Sequence, residues 1–339
     1  MSITGPAYRA MKRPLGAVAG HNACMLTRRY LLTVAPLGVA AACAGEPAAG
    51  TQPATTGAVP SGTTTPTSTT PTTATTTVTP TTKATTTRAP TKPTRAAASL
   101  DDLREELSAL SRRYGVDLGV AATERRSGRS FTWGADTTIE TASIAKADIL
   151  ATLLLQLQDR GARPSSSQLA VADAMIRRSD HESAWTLFRQ VGLASGMAAA
   201  NQRFGLRSTQ CFDYSWGLTR TSARDQLRLV GAISGAGTSS SPLDAHSGTV
   251  LLDLMEDVVA EQKWGVSAAA HGTERVCLKN GWLPRSTLGK RWIINSIGRI
   301  TSSSLDLRLA ILSQRHPSQG QGIDVVEQAA ALTRRHLAV

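Results

Sequence analysis

Residues 98–339 predict a mixed α/β (α+β) fold: a five-stranded antiparallel sheet flanked by terminal helices, joined to an all-helical lobe. Three observations carry this expectation. Short runs of strand-forming residues mark two strands near the start of the segment and three near its end. Helical spacing of apolar residues fills the long interval between them and recurs at both flanks. Strands so close in sequence pair antiparallel, and each face of such a sheet needs a cover. The terminal helices supply one cover and the inserted helices the other.

Asp101 to Arg113 repeats leucine at 103, 107 and 110, the spacing of a single buried helical face. Asp117–Thr123 and Arg129–Trp133 are two short strands, joined as a hairpin by a turn at Ser127-Gly128. A long apolar helix runs from about Ser143 to Gln158, with shorter helices around 167–177, 182–190, 196–204, 222–234 and 247–259. Strands follow near 274–279, 291–299 and 305–314, and an amphipathic helix runs from Ile323 to about His336. No internal repeat is present.

The N-terminal third has a different character. Thr27-Arg28-Arg29-Tyr30-Leu31-Leu32 has the twin-arginine form of an export signal and leads into the apolar run Leu31–Ala42. That run is shorter than the roughly 20 residues a membrane-spanning helix needs. It ends Ala40-Ala41-Ala42-Cys43, close to the small-residue box that precedes a lipidated cysteine, with Ala40 where leucine is usual. Residues 1–43 are therefore expected to be an export signal, Met25 an attractive true start, and Cys43 the site of a lipid anchor on the outer face of the cell membrane. Plain cleavage would leave a secreted protein instead. Residues 44–97, nearly all Thr, Pro, Ala, Ser and Gly beyond Thr51, have too little apolar surface to offset the entropy of ordering them and read as a disordered linker.

The net charge of +12 suggests a polyanion until it is divided. Residues 1–97 hold nine Lys/Arg against one acid, whereas the remainder holds 28 against 24. The basic residues of the domain are interspersed with acids and lack aromatic stacking partners, so no nucleic-acid partner is expected. The six histidines are dispersed and no Cys/His spacing resembles a zinc site, so no metal or cofactor is expected. Cys24 and Cys43 fall in the signal. Cys211 and Cys277 fall in the domain, where an oxidising compartment permits a bridge and two buried thiols are the simpler reading. The domain is read as a monomer.

Three short words remain. In Ser143-Ile144-Ala145-Lys146 the i, i+3 spacing puts hydroxyl and ammonium on one helical face near the helix start, where free backbone N–H groups favour developing negative charge. Ser179-Asp180-His181 lies in the break between two helices. Lys279-Asn280-Gly281 ends an apolar strand, an unusual place for lysine in a purely structural chain. A serine needs a neighbouring base to become a nucleophile, and Lys146 could serve if burial or a second cation, such as Lys279, lowered its pKa.

With these words in this order, residues 100–337 resemble the class A β-lactamase and penicillin-binding protein group of serine hydrolases, whose pattern is S-x-x-K, S-D-N and K-T-G. Further stretches match in register: Met175–Ala184 with the SDNTAA helix end, Leu218–Asp225 with the TTPRD helix start, and Gly289–Ile294 with the GxRGII strand. The resemblance implies Ser143 as nucleophile, Lys146 as its base and Ser179 as proton relay to the leaving nitrogen. It assigns Lys279 and Arg291 to the substrate carboxylate, and the backbone N–H groups of Ser143 and Trp282 to the oxyanion. A β-lactam or a D-alanyl cell-wall peptide is the implied substrate.

Two motif positions depart from the pattern: His181 replaces Asn and Asn280 replaces Thr, both still able to donate a hydrogen bond to substrate beside Gly281. The interval Thr209–Gly217 lacks the group's deacylating glutamate, leaving Asp213 and Glu182 as the nearest candidate acids. The 36-residue interval from Ser143 to Ser179 is also short for the group, which implies a trimmed lobe and an open cleft. Acylation with weak deacylation is the expected outcome. The alternative is a non-catalytic peptidoglycan- or partner-binding module on a degenerate fold, which would not need a base-activated serine.

Overall fold

The computed structural model describes residues 99–338. The expected export signal and linker, Met25 and Cys43 lie outside the described residues. Helix α1 (Leu100–Tyr114) opens the domain. Ser99 accepts from the Asp102 N–H and Asp102 returns a bond to the Ser99 N–H, so the helix start satisfies its own free donors. Strands β1 (Asp117–Glu124) and β2 (Ser130–Trp133) form the expected hairpin. Strand β3 (Thr138–Glu140) leads through a single 3-10 turn, Ala142–Ile144, into α2 (Ala145–Asp159).

The lobe comprises α2, α3 (Ser166–Arg177), α4 (His181–Gln190) and α5 (Leu193–Arg203). A short strand, β4 (Arg220–Ser222), comes next, then α6 (Ala223–Ser234) and α7 (Ala245–Glu256). Strands β5 (Arg275–Arg285), β6 (Arg291–Thr301) and β7 (Asp306–His316) precede the last helix, α8 (Gln319–Leu337). The sheet is antiparallel in the order β2-β1-β7-β6-β5, so β5 is an edge.

Both sheet faces are covered as expected. Leu103 and Leu107 of α1 and Val325, Val326 and Ala329 of α8 pack with Leu278, Ile294, Leu309 and Ile311 on one face. Ala223 and Val230 of α6 join Ala147, Ile293, Ile297 and Leu312 on the other. Helix α2 is the axis of the lobe, with twelve of its fifteen residues buried. A helix apolar on all sides packs on all sides. The polar groups of its first half, Lys146, Asp148 and Thr152, are therefore buried with it.

Three local readings are corrected. The long helix does not begin at Ser143, because Ala142 adopts a left-handed backbone (φ 47°) and α-geometry starts only at Ala145. Strand β5 does not end at Lys279: Asn280 and Gly281 continue it, paired to Ser296 and Asn295, and the reversal comes at Ser286–Gly289. The ladder between β3 and β4, three residues on each side, was unforeseen because runs that short carry no readable period. Cys211 and Cys277 are free thiols, and burial pushes them up to about 12 and about 11 respectively.

The two ends of the described domain meet. A ring nitrogen (Nδ1) of His336 lies 2.8 Å from the Ser99 carbonyl, and α1 packs on α8. At the other side of the sheet, Asn295 of β6 is the clamp that seats the start of the lobe. Its amide donates to the carbonyls of Glu140 (2.8 Å) and Thr141 (3.0 Å), and its oxygen accepts from the Ser313 N–H (3.2 Å). Asn295→Leu would leave these buried backbone groups without that partner. We expect a loss of about 3 kcal/mol in urea denaturation, and a loss below about 1 kcal/mol would refute the clamp.

Candidate active site

Two of the three sequence words sit at element boundaries and the third lies within a strand, and the fold brings them together. The 3-10 turn ahead of α2 presents Ser143, the break between α3 and α4 presents Ser179, and the edge strand β5 presents Lys279. Lys146 is fully buried and its ammonium uses three donors: 2.9 Å to Ser143 Oγ, 3.0 Å to Ser179 Oγ and 2.6 Å to the Ser179 carbonyl. Lys279 reaches the same Ser179 hydroxyl from the opposite side at 3.2 Å and donates to the Asn280 carbonyl at 3.1 Å. These contacts offset the large cost of taking an ammonium out of water.

Two of the five non-glycine residues with positive φ among the described residues lie here. Besides Ala142, Ser179 holds a left-handed φ of 59°. A non-glycine residue in that region costs about 1–3 kcal/mol and persists only where its surroundings over-determine it. At Ser179 the conformation turns both carbonyl and hydroxyl toward Lys146. Asp180 then caps α4 by accepting from the Ser183 N–H at 2.7 Å.

Burial dominates the electrostatics. It pushes the Lys146 ammonium down to about 7, with the Asp180 carboxylate pulling the other way. Burial and the Lys146 charge hold Lys279 well below the ordinary lysine range. His181 is lowered too, first by partial burial and then by Lys146. An ammonium near 7 loses its proton readily at neutral pH, as a base beside a hydroxyl requires.

A cavity of about 260 Å³ opens over Ser143, walled by His181, Trp185, Trp216, Trp282 and Arg285. His181 packs edge-on against Trp216, with centroids 5.3 Å apart, and Trp282 leans on Trp264. Gly281 lets β5 approach the nucleophile turn: a Cβ there would stand 2.7 Å from the Ser143 nitrogen and 2.8 Å from that of Ile144.

The structure therefore gathers Ser143, Lys146, Ser179 and Lys279 into one hydrogen-bonded cluster, with His181, Gly281 and Trp282 around it. It does not bring four other expected residues to the cavity wall. Asn280, next to Lys279 on a strand, faces the opposite side and donates to the carbonyls of Gln262 (2.7 Å) and Trp264 (3.0 Å). Arg291 is exposed and donates to the Arg315 carbonyl. Its cross-strand partner Arg285 lines the cavity instead, paired with Glu140 at 2.9 Å. Asp213 is exposed and accepts from the Ala194 N–H at the start of α5. Glu182 is exposed in the first turn of α4 and does not line the cavity. Sequence reasoning passed over Arg285, Trp185 and Trp216. The alternation that places Lys279 inward also places Asn280 outward, so that error was avoidable.

No family model matches the chain. LppW, a protein named as a lipoprotein in Mycobacterium tuberculosis and Mycobacterium bovis, is 29% identical over 214 residues, covering 61% of this chain. The aligned stretch spans 64% of the length of those relatives. Among solved structures, PBP-A aligns with a TM-score of 0.60 at 20% identity, over 70% of this chain and 96% of its own. A class A β-lactamase from Mycobacterium abscessus aligns at 0.59 and 17%, over 70% and 100%. The TLA-3 extended-spectrum β-lactamase aligns at 0.62 and 13%, over 71% and 100%. The fold is thus β-lactamase/transpeptidase-like.

The close approach at Gly281 is testable by contrast with Gly289, where an added Cβ would meet nothing and only the positive φ of 65° resists. Gly281→Ala should cost about 3 kcal/mol in denaturation, against about 1 kcal/mol for Gly289→Ala. Equal losses would show that the turn yields to β5.

Proposed function

We propose that the domain is an exported serine acyl-transfer enzyme that forms an acyl-Ser143 intermediate with a β-lactam or a D-alanyl cell-wall peptide and releases it slowly. The observation that carries this reading is the 2.9 Å contact between Lys146 Nζ and Ser143 Oγ inside a buried two-lysine, two-serine cluster. A non-catalytic binding module would have no use for such a base.

Lys146 acts in its neutral form. It takes the Ser143 proton as Oγ attacks the amide or lactam carbonyl, and the oxyanion rests on the backbone N–H groups of Ser143 and Trp282, each donor worth about 3 kcal/mol. The C–N bond then breaks. The leaving nitrogen takes the Ser179 hydroxyl proton, which Lys146 replaces through their 3.0 Å contact. Lys279 supplies positive potential for the substrate carboxylate. Arg285 supports it from the cavity wall, in the role the sequence had suggested for Arg291. Slow deacylation follows from the surroundings: Asp213 and Glu182 are exposed, and neither lines the cavity. The relatives named as lipoproteins support an anchor at Cys43 and a place on the outer face of the membrane.

Intact mass after incubation with benzylpenicillin tests the reading. A long-lived covalent adduct is expected on the wild type and none on Ser143→Ala; an unlabelled wild type at high reagent defeats the proposal. Because only neutral Lys146 is a base and its pKa is about 7, the acylation rate should rise with pH through neutrality. Below that midpoint it should fall about tenfold per pH unit. A rate flat from pH 5 to 8 would remove Lys146 from the role. Arg285→Ala should slow acylation about tenfold, while Arg291→Ala leaves it unchanged.

A further inference from the structure

We infer that Trp216 is a positioning residue: its indole roofs Lys146, separates the ammonium from the cavity, and keeps the base out of water. The Lys146 nitrogen stands over the indole ring, 4.6 Å from its centroid. Trp216 lines the cavity yet is itself only 5% exposed, and Lys146 beneath it is fully buried. The indole N–H has no hydrogen-bond partner, so the ring is not held there by a polar bond of its own. Backbone contacts hold the loop instead. The Thr141 N–H donates to the Thr219 carbonyl at 2.8 Å, and the Thr141 hydroxyl lies 3.4 Å from the carbonyls of Trp216 and Gly217. The turn that carries Ser143 therefore also fixes the roof over its base.

Two opposed effects act on Lys146 through this ring. Displacing water disfavours the ammonium and can lower a buried lysine by about three to five pH units. A cation facing an aromatic ring favours it, by about one pH unit. Exclusion of water is the larger effect, in keeping with burial as the chief cause of the lowered Lys146 pKa. The other groups facing Lys146 are Asp180, which caps α4, His181 at the start of α4, and Lys279 on β5. Asp148, on the same helix, instead accepts from Asn201 at 3.0 Å. None of these groups belongs to the Trp216 loop, and of them His181 packs edge-on against the ring itself, 5.3 Å between centroids.

The lid itself does not depend on the chemistry proposed above; only its consequence for the pH of acylation does. The test is a titration of the full chain carrying lysine labelled with ¹³C at Cε, followed by NMR. The full chain has seven lysines, and Lys146→Arg identifies the signal of interest. Trp216→Ala should raise the Lys146 midpoint by at least one pH unit. Trp216→Leu, which keeps apolar volume without an aromatic face, should leave it at or below the wild-type value. Trp216→Gln, a hydrated side chain of comparable length, should raise it as alanine does and serves if the alanine variant fails to fold. An unmoved or lowered midpoint in Trp216→Ala or Trp216→Gln overturns the lid, as does a rise in Trp216→Leu equal to that in alanine. If the midpoints move as expected and benzylpenicillin labels none of the proteins, the lid stands and the acyl-serine reading falls.

Discussion

Two lysine ammonium groups meet at one serine hydroxyl inside the protein, and much of the architecture follows from holding them there. Lys146 and Lys279 come from different layers, a lobe helix and a sheet edge, and both bond Ser179 Oγ. Charges of one sign repel most strongly where water is absent. The arrangement persists because each ammonium is also tied to a backbone carbonyl, that of Ser179 or of Asn280. Burial makes both ammonium groups costly to the fold and is also the chief cause that depresses both lysines, so the energetic cost and the chemical readiness of the site have one origin.

That convergence requires the backbone to take unfavourable shapes at the points where layers touch. Ala142 and Ser179 are both left-handed, and β5 must be bare at Gly281 to admit the turn between them. Asn295 holds the same turn from the sheet side. The strain is local, whereas the restraints come from β6, from β5 and from the loop ahead of β4. A change in any of those segments is therefore felt at Ser143 without touching it.

Local spacing explains why part of this was legible in the sequence. The i, i+3 relation of Ser143 and Lys146 survives the 3-10 turn, and the order of the three motifs pointed to one crevice. What sequence could not supply was partnership across long separations. Arg291 looks equivalent to Arg285 until the Arg315 carbonyl takes up its guanidinium. Asp213 looks like a free carboxylate until the Ala194 N–H finds it. Trp216 stood in a loop without periodicity, and its place over Lys146 depends on contacts with residues some 75 positions earlier. An asparagine within the apolar run Ile293–Ile297 was the one visible hint of a clamp.

The meeting of the domain's two ends has a mechanical consequence. Ser99 and His336 are neighbours, so traction applied across the domain at these two points would first peel α1 from α8 and leave the sheet's hydrogen bonds unsheared. Such a seam opens bond by bond, at low force, while the crevice behind β5 stays intact. It also makes the domain's linear order negotiable: a short peptide could join Ser99 to the end of α8 and new ends could be cut elsewhere, at an exposed loop tip.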